Sequence, residues 1–259
     1  MPLLTFVCGC VRLGHEYLDV GEVPVPGHLP RAYESLLHDP RLMARGRIHP
    51  GTDGPVSPDG WRLLDVAYLT DSATWVLVEQ KEECTARILF VKGAQGGFRI
   101  QQAFGSNDHI PLRPGPFEWE SADRSEQAHV LPTDWDFDGH TDIALQCGWG
   151  ATGNLMYDLW VRRGGRWRYL PAFRDVTSPR RDPERRVILG FSSGGMASCI
   201  HTETEHGWTN GNLVLLWEQD QDWDMDRRMF HRVERRLVDG AMAVKRDEWL
   251  MPAEGGWEE

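Results

Sequence analysis

No C-x-x-C pair occurs among Cys8, Cys10, Cys84, Cys147 and Cys199, so a thiolate zinc site is not expected. Their odd number rules out complete disulfide pairing within one chain. Lysine is scarce beside arginine, and no basic run that could follow a phosphate backbone relieves the net charge of −11. Nucleic acid is therefore not an expected partner, and a basic protein surface suits the chain better. No apolar run is long enough to span a bilayer. The opening MPLLTFVCGC has a short apolar run with no basic segment before it, which reads as a first strand. A truncated export signal ending near Val7-Cys8-Gly9-Cys10 is the alternative, so the expected compartment is the cytoplasm, with the periplasm second. H-E-x-x-H is absent, and the helix-and-strand alternation of a parallel α/β enzyme is not visible.

What the chain does have is a dense acidic stretch at 134–142, DWDFDGHTD. Asp134, Asp136, Asp138 and Asp142 follow the pattern D-x-D-x-D-G-x-x-D. Carboxylates this close repel one another unless a hard cation sits among them, and Gly139 permits a sharp turn after the third. The spacing matches positions one, three, five, six and nine of an EF-hand loop, with the His140 backbone carbonyl at position seven. Ca2+ is the natural occupant, in a role that braces the fold. Leu145 stands where the twelfth-position Glu would be. The flanking segments do not read as amphipathic helices, so a loop between two strands is expected, as in the calcium loops of FG-GAP propeller repeats, which it resembles.

The rest of the sequence reads as mainly β, either propeller-like or multi-sheet antiparallel, with a small helical N-terminal segment. Glycine and proline are plentiful, and the twelve tryptophans spread from Trp61 to Trp257 favour many short strands. Residues 1–60 are expected to form an N-terminal strand and helical cap, with short helices within 29–44 interrupted near Asp39-Pro40. Residues 61–259 are expected to form the β domain holding the calcium loop. Within it, 61–69, 74–79, 86–92 and 98–102 read as a four-stranded meander, and 106–123 as a proline-containing surface loop. Alternation over 157–163 sets Tyr157, Leu159 and Val161 against Asp158, Trp160 and Arg162, and Gly164-Gly165 turns that strand into 167–170. A charged loop at 175–186 leads to strands near 187–191, 197–202, 213–218, 229–238 and 241–250. The alternating Asp220, Asp222, Asp224 and Asp226 read as an acidic hairpin tip without the glycine a cation loop needs.

From about Val130 onward the chain resembles a family of bacterial calcium-binding, propeller-like immunity proteins that act against secreted lysozyme-like effectors. The resemblance rests on DFDGHTDIAL, on GATGN, on Tyr157 followed by Trp160, on the strand after Asp182-Pro183-Glu184, and on Trp208-x-Asn210-Gly211-x-Leu213. It implies a propeller-like β fold, calcium held by the loop aspartates, and a protein that neutralises a cognate bacterial toxin by binding it, with no catalysis of its own. Trp149, Trp208 and Trp223, beside glycine-rich or acidic turns, are candidate anchors. Two other functions compete. A calcium-dependent hydrolase would draw on His129, His140, His201, His206 or His231 with Ser192, Ser193 or Ser198. A carbohydrate-binding or adhesive propeller would repeat the metal motif, of which one good copy is present.

Overall fold

The computed structural model describes residues 20–48, 50, 53–81, 85–106, 130–150, 152–195 and 199–252. The strand expected at 1–12 lies outside them, as does the expected surface loop from residue 107 on.

Apolar patterning builds the first sheet. Strands β3 (Arg62–Leu69), β4 (Thr74–Lys81), β5 (Thr85–Ala94) and β6 (Gly97–Ser106) form the expected antiparallel meander. The short β1 (Gly21–Glu22) pairs with β6, and β2 (Arg47–Ile48) with β3, giving a six-stranded sheet ordered β1-β6-β5-β4-β3-β2. Its central strands are apolar on both faces because both are covered. One face, with Leu63, Val66, Leu77 and Leu89, receives Tyr33, Leu37 and Leu42 from helices α1 (Arg31–Leu37) and α2 (Pro40–Arg45). The break between these helices is local chemistry. The Asp39 side chain accepts the Arg41 N–H at 2.8 Å, Pro40 opens α2, and Gly46 closes it in the left-handed conformation.

The second sheet has four strands in the order β10-β9-β8-β7: β7 (Val130–Thr133), β8 (Asp142–Trp149), β9 (Leu155–Arg163) and β10 (Arg166–Leu170). It lies between the other two sheets, and β9 shows why its alternation carries apolar residues on both sides. Trp160 packs with Val78, Ile88, Phe90 and Phe104 of the first sheet, while Tyr157, Leu159 and Val161 face Phe173, Val176, Ile188 and Leu213. Gln102 fastens the first two sheets, mimicking a strand's backbone: its Oε1 accepts the Trp167 N–H at 2.8 Å and its Nε2 donates to the Trp167 carbonyl at 3.3 Å. The Trp167 ring stacks on Phe90 with centroids 4.4 Å apart.

The third sheet runs β11-β12-β13-β14-β15-β16, all antiparallel, over Arg180–Asp182, Val187–Gly195, Ile200–Thr209, Asn212–Asp224, Met229–Val238 and Ala241–Leu250. Its base packs on the second sheet, but apart from Phe230 the outer parts of β13 to β16 are half-exposed or exposed on both faces. Asp220, Asp222 and Asp224 lie inside β14, so the expected acidic tip is for the most part an acidic strand. The charged loop at 175–186 contains β11. Among the described residues the molecule is mainly β, with three antiparallel sheets and few helices. These sheets form neither a closed barrel nor a ring of propeller blades, which corrects the propeller-like alternative. A blade repeats four strands around a channel, whereas here a buried central sheet is sandwiched between two larger ones.

Candidate metal centre

The acidic loop joins β7 to β8, and Thr133 pairs with Asp142 across its base, so it is a strand-to-strand connection as expected. Its own N–H groups aim the carboxylates. Asp134 Oδ1 accepts from Asp138 N and its Oδ2 from Gly139 N, each at 3.1 Å. Asp136 Oδ1 accepts from Asp138 N at 3.1 Å, and Asp138 Oδ1 from His140 N at 2.8 Å. Gly139 has φ +89°, and open space surrounds the position a Cβ would take, so backbone conformation and not crowding selects glycine.

One carboxylate oxygen from each of Asp134, Asp136 and Asp138 lies within 4.8 Å of the others. Two oxygens on opposite sides of a Ca2+ at about 2.4 Å stand about that far apart. The all-oxygen donor set also suits a hard cation. Asp136 is buried, and burial first, then the neighbouring Asp138 charge, push its carboxyl up to about 6 against the pull of Arg163. Arg163 Nη2 lies 2.6 Å from Asp136 Oδ2, yet off the hydrogen-bonding direction, so this oxygen has an ion pair and no directed donor. A cation among the three aspartates would relieve that excess negative charge.

Asp142 has a different position. It is fully buried beneath the loop, its Oδ2 accepts from Trp135 N and Asp136 N at 2.9 and 3.1 Å, and its Oδ1 accepts from Arg162 N at 3.0 Å. Burial and the Asp136 charge raise its carboxyl to about 7 while these N–H groups pull it down. It lies outside the three-carboxylate cluster and pins the loop to β9. His140 enters through its backbone N–H; its ring is exposed and stands apart from the cluster.

Residues from all three sheets reach the loop. Asp71, in the β3–β4 turn, accepts the Thr141 N–H at 2.8 Å. Trp208 of β13 donates from Nε1 to the Trp135 carbonyl at 3.1 Å, and Arg186 donates to the Phe137 carbonyl at 2.5 Å. Arg181 of β11 lies over the Phe137 ring and 3.9 Å from Asp134. None of these partners was predicted from sequence, although an acidic loop in a folded chain calls for nearby cations and the run at 180–186 supplies them.

The hydrolase residues come together less well. Gly190-Phe191-Ser192-Ser193-Gly194 has G-x-S-x-G spacing, but it lies along β12. A nucleophile elbow is a sharp strand-to-helix turn, which this segment is not. Ser193 is paired with His201 across strands, and His201 Nε2 is 3.7 Å from Glu203 Oε1 on an open sheet face. His231 lies on the opposite face, 2.7 Å from Asp247. His206 is buried in the base of the third sheet, where desolvation lowers it to about 4. His129 and Ser198 lie outside the described residues. Of the tryptophans, Trp208 is committed to the loop, Trp223 packs edge-on against Phe230, and Trp149 has no described side chain.

No protein-family model matches this sequence, and no curated protein matches it. The solved structure of a Xanthomonas type IV secretion system related protein superposes with a TM-score of 0.48 and 16% identity, covering 76% of this chain and 98% of that one. No helix among the described residues is long and apolar enough to cross a membrane.

Proposed function

We propose that the chain is an immunity protein, a calcium-braced β scaffold that binds and neutralises a cognate bacterial toxin without catalysing a reaction of its own. The observation that carries this reading is the position of the acidic loop, whose backbone and carboxylates meet residues of every sheet. Asp134, Asp136 and Asp138 would hold Ca2+, which when bound supplies positive charge and fixed oxygen coordination at that junction. The chain's own residues do the rest: Asp142 anchors the loop to β9, Asp71 ties it to the first sheet, and Arg186 and Trp208 tie it to the third.

Interior charges support a binder over an enzyme. Away from the acidic loop, Asp65 is paired with Arg47, Glu79 with Arg87, and Asp158 with Arg174, so each of these three buried carboxylates has a fixed partner. The toxin's substrate then sets the compartment: a nuclease or nucleotide-modifying enzyme for the cytoplasm, a cell-wall hydrolase for the periplasm.

The test is a pull-down of the tagged chain from its native cells with and without calcium, followed by activity assays on the recovered protein. A stoichiometric toxin whose activity the chain blocks is the expected result. Recovery of no such toxin, together with turnover of a substrate by the chain alone, would replace this reading with the hydrolase.

A further inference from the structure

The third sheet extends beyond the core that covers its base. On the side that packs inward at Ile188 and His206, strand pairing carries the same face outward through Thr204, Thr202 and the acidic side of β14. This outer part of the inward face presents Glu218, Asp220, Asp222, Asp224 and Asp247 against Arg235 on the strands and Arg227 beside Asp224 in the turn, so acid remains in excess. The opposite face is balanced, with Arg185, Arg232, Arg236 and Arg246 against Glu203, Glu205, Glu234 and Glu248. Two exposed apolar side chains lie on the acidic face, Val244 at 58%, paired with Arg235, and Trp249 at 36%, paired with His231. Trp249 is held in place, its ring stacked on His231 at 4.4 Å with Arg227 4.0 Å from the ring centre.

We infer that this acidic overhang is a docking surface for a positively charged protein. This deepens the immunity reading and rests on it, since it names the charge of the partner and the place it binds. Charge complementarity selects the occupant. A second copy related by a two-fold axis would set the acidic stripe against itself, and phosphate backbones are repelled. Edge-to-edge pairing through β16 is blunted by the bulge at Lys245 and the charged run Lys245 to Glu248. A shared metal ion does not fit either, because alternate residues of a strand are about 6.8 Å apart. A basic protein face is attracted by the stripe, and the pre-oriented Trp249 gives it an apolar anchor.

The experiment places a photo-crosslinking amino acid at Val233 on the acidic face, or at Gln219 on the balanced face, in the producing cells. The crosslinked protein is then purified and titrated against the wild type, Asp222→Lys and Gln219→Lys. Asp222 is exposed and has no ion pair among the described residues, so its replacement leaves the ion pairs of the sheet in place. Crosslinks from Val233 alone, to a net-positive protein, are expected, with binding weakened about tenfold or more by Asp222→Lys and less than about twofold by Gln219→Lys. Raising sodium chloride should also weaken wild-type binding, which tests the electrostatic claim even if the lysine variant folds poorly. Crosslinks from Gln219, a second copy or an acidic protein as the captured species, no crosslink at all, or equal sensitivity to both substitutions would each overturn the inference. A basic partner that is no toxin would sink the immunity reading and leave the surface standing. A neutralised toxin without Val233 crosslinks would do the reverse.

Discussion

Asp136 and Asp138 carry the cation hypothesis, and their replacement gives its sharpest test. Calcium that binds only the native state must raise the melting temperature by mass action. In Asp136→Ala/Asp138→Ala that rise should vanish, as read by thermal unfolding in calcium against chelator; an unchanged rise would take the loop out of the account. His206 makes a second prediction. Its folded pKa, about 4, lies below the ordinary 6.5, so the unfolded chain binds the proton more readily. The stability of the neutral imidazole is thus fully present above about pH 6.5 and is lost as pH falls from there towards 4. Asp136 and Asp142, raised above the usual carboxylate range, act with the opposite sign in the metal-free protein. Comparing wild type with His206→Leu cancels their contribution: the variant should lose less stability between pH 7 and 5 in urea titrations. At this scale the D-x-D-x-D-G spacing was legible because all its geometry lies within nine residues. The inward role of Asp142 was not, because it depends on β9, whose Arg162 is 20 residues away.

Elements were read best where one pattern decides them. The β15 and β16 bounds agree with expectation, and Gly164 and Gly165, with φ +57° and +77°, make the hairpin turn that their sequence announces. Side-chain linkages between elements had no such signal. Asp158, buried on β9, takes Tyr169 Oη at 2.6 Å and Arg174 Nη2 at 2.9 Å from two different elements. Burial and the Asp158 carboxylate hold the Tyr169 hydroxyl well above its ordinary value. Asp158→Ala would remove the buried carboxylate that Arg174 and Tyr169 share, and a loss of about 3–5 kcal/mol in chemical denaturation is expected. Gly190 offers another test on β12. A Cβ there would lie 2.3 Å from Thr204 Oγ1 and 3.1 Å from Val176 Cγ1, so Gly190→Ala should cost about 1–3 kcal/mol. A smaller loss would mean that the segment at 176–177 yields easily.

At the scale of the molecule, the sequence announced the β class and a four-stranded meander, but not how the sheets stack. A propeller and a three-layer stack both need short strands, turns and apolar alternation. What separates them is which faces meet, and that is fixed by contacts such as Gln102 with Trp167 and Trp208 with Trp135, each between residues more than sixty positions apart. The junction view makes its own prediction. Calcium should slow hydrogen exchange not only in the loop but also at Trp208 and in the β3–β4 turn around Asp71, and protection confined to 134–142 would reduce the site to a local brace.

Strand β14 is 13 residues long, roughly 40 Å at the usual strand rise, and only its first part, at Leu213, packs on the second sheet. The free part is therefore a lever whose fulcrum lies beside the acidic loop. A play of roughly 5° at that fulcrum displaces a point about 30 Å out along the strand by roughly 2.5 Å. That is close to the reach of a hydrogen bond. Tightening the fulcrum by a fraction of an ångström thus aims the far end of the sheet, and the accuracy with which the overhang can meet another surface is set at the opposite end of the arm.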